Sequence, residues 1–167
     1  MEVISSIKDE RIILARALHS RKGRQEHQRT LLEGEEILDW AIENHIPVEY
    51  ILLSEKAPSK TREKVLSQTT HVFLVSEGIL KKVIDTNYVI PLIGVARMPA
   101  GEAEDRGNFV VVLDAVQDFG NIGTIIRTCQ AFGIRNIFST SPDFDIYQRK
   151  TIEASRGSVF ATRLRNF

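Results

Sequence analysis

Gly120, Asn121, Gly123 and Arg127 lie within one short stretch, and an arginine fork beside a glycine-rich loop suits contact with a sugar or phosphate oxygen. The stretch runs from Leu113 to Gly133 and follows a run of apolar residues, Phe109–Leu113. Five consecutive apolar residues predict a strand buried on both faces, as in a parallel sheet. Open α/β sheets bind ligands at the carboxyl ends of such strands. Gly120 and Gly123 bracket Asn121, so backbone there can come close to another group. Asn121 is placed to cap the helix that follows. On that helix Ile122, Ile125, Ile126, Cys129 and Phe132 form one apolar face. At about 100° per residue, Arg127 lies roughly 160° from its centre. The residues one turn away are Gly123, Thr124, Gln130 and Ala131, none acidic. No helical ion pair is available to Arg127, and an unpaired guanidinium fork suits phosphate or ribose oxygen.

Generic nucleotide motifs fail. A dinucleotide fingerprint needs Gly-x-Gly-x-x-Gly directly after the strand, and here Asp114 to Phe119 intervene. The Gly-Lys-Ser/Thr of a phosphate-binding loop is absent. Cys129 is the only cysteine, and His19, His27, His45 and His71 lack ligand spacing, so no metal site is expected. No run of eighteen apolar residues and no apolar leader core occurs, so a cytoplasmic protein without a membrane span is expected.

The elements that would position these residues alternate between helix and strand. A helix is expected over Ile7–Leu18, after which the polar run His19–Gln28 breaks the pattern. Strands follow at Thr30–Leu32, Val48–Leu53, His71–Val75 and Pro91–Ala96. Helices are expected at Glu35–Asn44, at Ser59–Leu66, and from an N-cap at Ser76 through Ile84. Met98–Gly107 is polar, aperiodic and carries Pro and Gly, which marks a linker. The expected division is therefore 1–97, a linker at 98–107, and a second domain at 108–167. In the second, Gly133 stops the helix and Asn136–Ser139 is the next strand, which makes a βαβ unit. The fold class is α/β.

Net charge is zero, but it is segregated. Arg16, Arg21, Lys22, Arg24 and Arg29 are opposed over their stretch only by Glu26. From Phe119 onward seven basic residues face three acidic ones. Such segregation permits a basic face on a neutral chain.

The Leu113–Gly133 stretch resembles the first signature of the SpoU (TrmH-like) family of RNA ribose 2′-O-methyltransferases, in the SPOUT superfamily. Asp118, Asn121, Gly123, Arg127, Phe132 and Gly133 match in order and spacing, with Phe119 where that family usually has proline. Asp145, Lys150, Ala154, Ser155, Gly157 and Ser158 resemble a second family segment, with Glu153 where arginine is frequent. Ser20–Arg24 before Leu31–Gly34 is similar to the family's substrate-binding domain. The resemblance implies an L30e-like α/β RNA-binding domain followed by the first part of a parallel-sheet, trefoil-knot methyltransferase domain. It implies transfer of a methyl group from S-adenosylmethionine to a ribose 2′-hydroxyl of rRNA or tRNA by a homodimer. It implies that Arg127 and Asn121 are catalytic, and that Arg21, Lys22, Arg24, Lys150 and Arg156 contact RNA. A guanidinium stays protonated, so Arg127 is expected to orient phosphate and stabilise charge, not to act as a base. The family's later signatures, which form the knot and most of the cofactor pocket, have no counterpart after Gly157. No cofactor residue is therefore assigned, and this stretch alone is expected to be inactive and to bind S-adenosylmethionine weakly. The alternative reading is a non-catalytic module that grips structured RNA through Arg21, Lys22 and Arg24.

Overall fold

A computed structural model describes residues 1–69, 71–99, 109–141 and 144–166, with backbone alone at 164–166. The chain forms two compact units, Met1–Arg97 and Met98–Phe167. Of the expected linker, residues 100–107 lie outside the described residues.

In the first unit the β-branched runs become β1 (Glu2–Ile4), β2 (Arg29–Glu33), β3 (Val48–Ser54), β4 (Val72–Val75) and β5 (Leu92–Arg97). They form one mixed sheet in the order β1-β4-β3-β5-β2. β4 pairs parallel with β1 and β3, and β5 pairs antiparallel with β3 and β2. The helices are α1 (Glu10–Ala17), α2 (Arg21–His27), α3 (Glu35–Glu43), α4 (Ser59–Gln68) and α5 (Glu77–Val83). Strand alternation splits the core. Tyr50, Leu52, Ile93 and Val95 pack with Ile12, Ala15, Leu18, Ile79, Leu80 and Val83 of α1 and α5. Ile51, Leu53 and Leu92 project the other way, where Ile37, Leu38, Ala41 and Val65 of α3 and α4 are buried. At the sheet's end Glu49 accepts from Arg29 Nε at 2.7 Å and Arg97 Nε at 2.8 Å, tying β2, β3 and β5 together.

Two expectations are corrected here. The polar run after α1 is not a break but the helix α2. Its periodicity is hidden because a glycine makes its central contact. A Cβ on Gly23 would stand 1.9 Å from the Ala17 carbonyl oxygen, so only glycine allows α2 to sit on the end of α1. Ser20 caps α2, accepting from Gly23 N–H at 3.1 Å and donating to the Ala17 carbonyl at 3.0 Å. The short strand β1 was not expected; three residues are too few to show a period.

In the second unit β6 (Val110–Leu113), β7 (Asn136–Ser139) and β8 (Arg163–Asn166) form a parallel sheet in that order. Between them run α6 (Phe119–Ala131), α7 (Arg149–Ser155) and a single 3-10 turn at Ser158–Ala161. β6 is not buried on both faces: Leu113 is buried, whereas Val110 and Val112 are about half exposed. Among the described residues the sheet is covered on one side. Ile137 lies under Ile122, Ile126, Cys129 and Ile152, all buried, while Val110 and Val112 share the other face with Phe138. Phe132 is also corrected. The helix ends at Ala131, and Phe132 falls outside the apolar stripe, 79% exposed, before Gly133 at φ +72°.

Candidate functional site

Four side chains expected in the chemistry fall on or beside α6, and the helix decides what each can reach. Asp118, not Asn121, is its N-cap: the carboxylate accepts from Asn121 N–H at 2.8 Å. Asn121 sits inside the first turn with its side chain exposed. The same Asp118 carboxylate accepts from Lys150 Nζ at 2.8 Å. The Lys150 hydrogen bond first, and the Asn121 N–H next, hold the Asp118 carboxyl below the usual carboxylate range. Lys150, expected on RNA, thus already serves the start of α6, with 59% of its side chain still exposed.

Gly123 faces protein, not ligand. A Cβ there would lie 2.7 Å from Ala154 Cβ and 2.7 Å from the Thr151 carbonyl oxygen. Its hydrogen is therefore what lets α6 and α7 touch, and that contact positions Lys150 near Asp118. Behind this crossing, burial pushes the Cys129 thiol up, leaving an inert packing residue.

Arg127 is exposed on the outward face of α6, and among the described residues its side chain has no hydrogen bond or ion pair. Thr124 and Thr128 turn their hydroxyls inward, to the Gly120 and Thr124 carbonyls at 2.9 Å each. The guanidinium is left as the reactive feature of that face. Asn121 and Arg127 are not brought together: six residues separate them by about 9 Å along the axis and about 120° around it. Any shared role needs a substrate spanning both. Arg156, also exposed, caps α7 in a left-handed conformation at φ +47°, followed by Gly157 at φ +75°.

Sequence reasoning missed one arrangement at the carboxyl end of the sheet. Thr140 Oγ1 donates to Asp114 Oδ1 at 2.8 Å and accepts from Ala115 N–H at 3.0 Å, linking the turns after β6 and β7. Ala115 is left-handed at φ +53°. A hydroxyl and a carboxylate directly after two expected strands were the available signal.

In the first unit Lys22 is exposed and Arg21 half-buried. Arg24 is different from its expectation. It is buried, and its Nη1 donates to the Leu18 and His19 carbonyls at 2.7 and 2.8 Å. It satisfies the end of α1 and is not presented to RNA. Among the described residues no helix is long and apolar enough to cross a membrane, and no His, Cys, Asp and Glu cluster could hold a metal.

Residues 108–167 match the SpoU rRNA methylase family model, and residues 9–89 match that of the MRM3-like substrate-binding domain. Residues 108–167 are thus a match to the SpoU rRNA methylase family, and the first unit to a substrate-binding domain. Over 162 residues it is 30% identical to the 23S rRNA (guanosine(2553)-2′-O)-methyltransferase RlmP of Bacillus subtilis (strain 168), covering 96% of this chain and 63% of that protein. A 23S rRNA (adenosine(1067)-2′-O)-methyltransferase of Streptomyces azureus is 34% identical over 113 residues, 65% of this chain and 42% of that one. The crystal structure of an RNA 2′-O ribose methyltransferase superposes with a TM-score of 0.78 at 27% identity, covering 99% of this chain and 65% of its own. The fold is also that of the SpoU methyltransferase AviRb from Streptomyces viridochromogenes, at a TM-score of 0.77 and 24% identity over 96% of this chain and 63% of AviRb. The chain spans less than two thirds of the length of these relatives.

Proposed function

We propose that this SpoU-family chain belongs to an enzyme that moves a methyl group from S-adenosylmethionine to a ribose 2′-hydroxyl of RNA, with rRNA as substrate. The observation that carries this reading is Arg127: an unpaired, exposed guanidinium on the helix that holds the family signature. The named relatives, 23S rRNA 2′-O-methyltransferases, support the substrate class. Arg127 remains protonated and does not remove the 2′ proton. Its fork holds a backbone phosphate and stabilises negative charge developing on the 2′-oxygen. Asn121, exposed one helix turn and a half earlier, meets the same substrate from the N-terminal end of α6. Lys22, Arg21, Lys150 and Arg156 are the proposed RNA contacts, with Arg24 holding α1 and α2 together.

S-adenosylmethionine supplies the methyl group. Thr140 is bonded to Asp114 and to Ala115 N–H, so among the described residues these side chains do not by themselves form a cradle for it. No step is assigned to residues of this chain through the cofactor. A cytoplasmic homodimer is part of the proposal, on the family resemblance.

The test is transfer of label from S-adenosylmethionine to rRNA by the protein of the whole reading frame. Wild type is expected to label the ribose. Arg127→Ala is expected to lose about 10²–10³-fold in kcat at saturating RNA, with Arg127→Lys recovering only part because the fork is lost. If Arg127→Ala raises KM and leaves kcat intact, the residue merely binds RNA. RNA binding with no label from wild type would favour the non-catalytic module.

A further inference from the structure

An open cleft of about 520 Å³ lies on the first unit between α1 and α5. Ile13, Arg16, Ala17, His19, Lys82, Val83 and Asp85 line it. We propose that this cleft is a second RNA contact, seating a stretch of sugar–phosphate backbone against Arg16 and Lys82; the inference rests on the RNA reading above.

Three observations support it. First, among the described residues neither Arg16 nor Lys82 has a side-chain hydrogen bond or ion pair, although Asp85 lines the same cleft. Most other arginines here are committed: Arg11 to Asp9 and Glu2, Arg29 and Arg97 to Glu49. Two cations left open on facing helices are a pair of donors for successive phosphates. Second, part of the lining is apolar. Ile13 is 53% exposed beside Ala17 and Val83, which suits the sugar edge of a nucleotide chain more than a free anion. Third, the cleft is continuous with the basic helix α2. Ala17 lines it, and the Ala17 carbonyl is the atom on which Gly23 rests, so α2, the helix that carries exposed Lys22, packs against a residue of the cleft.

A bland role competes. Arg16 and Lys82 each stand in the last turn of a helix, where a cation stabilises the helix dipole. Binding and stability separate the two roles. The measurement is anisotropy of a fluorescein-labelled RNA hairpin against salt, with the 167-residue chain, beside thermal unfolding. Arg16→Gln combined with Lys82→Gln is expected to lower the slope of log affinity against log salt by about 1.4–1.8, the loss of two phosphate contacts. Lys60→Gln, on α4 at the opposite face of the sheet, is expected to leave the slope unchanged. Asp85→Asn is expected to tighten binding on the order of fivefold at low salt. An unchanged slope in the double variant, with a lower melting temperature and intact wild-type binding, would assign the pair to the helix dipoles and overturn the cleft alone. No RNA binding by wild type would remove the RNA reading and the cleft with it.

Discussion

Arg24 and Lys22 are two residues apart, and the structure gives them opposite duties. Arg24 is buried with its charge on two main-chain carbonyls. Arg24→Ala is expected to lower stability by about 2–4 kcal/mol, read by urea unfolding, because those carbonyls lose a charged donor. Lys22→Ala is expected to leave stability unchanged and weaken RNA binding only. Run length and charge cannot distinguish such residues, since both read as basic surface in the sequence. The glycine between them, whose missing side chain is the contact, was the one clue. Asp118 carries a similar lesson. Its place in the family signature was legible, but its task, capping α6 while pairing with Lys150, depends on a residue 32 positions away. Asp118→Ala is expected to lower the melting temperature more than Asp118→Asn, which still caps.

Between elements, the α6–α7 crossing fixes the site. Gly123→Ala is expected to cost about 1–3 kcal/mol by chemical unfolding, through overpacking against Ala154. Ala154→Gly is expected to restore only part, because the Thr151 carbonyl and Ser155 N–H remain within 3 Å of the added methyl. The helices and strands themselves were largely legible: Ser76 does cap α5, and Gly133 does end α6 in a left-handed conformation. What stayed hidden was one-sided burial of β6, because an apolar run reports hydrophobicity and not which faces find partners. The Glu49 clasp has a pH signature. Burial would raise its carboxyl, but the hydrogen bonds from Arg29 and Arg97 outweigh burial and hold it low. A lowered folded-state pKa adds stability above the ordinary value of 4.5, and that stability is lost as pH falls through the folded value. Glu49→Gln should therefore be less stable than wild type near neutrality, with the difference closing on an acid titration as pH falls below 4.5 and through the lowered folded value.

Among the described residues the first unit holds a mixed sheet covered on both faces and the second a parallel sheet covered on one. Val110 and Val112 on edge strand β6, beside Phe109 at 70% exposure, are an apolar edge of the type that promotes association. The 167-residue chain is expected to self-associate in sedimentation velocity, and Val112→Lys to reduce it. The family signature on α6 was readable because it is local in sequence; the basic cleft was not, because Arg16 and Lys82 meet only through packing of α1 on α5. The most direct test of the account is nucleoside mass spectrometry of rRNA from the source organism with this gene deleted, then restored. One ribose-methylated nucleoside should disappear on deletion, return with wild type and stay absent with Arg127→Ala. An unchanged set of ribose-methylated nucleosides, or a loss confined to base methylation, would contradict the account.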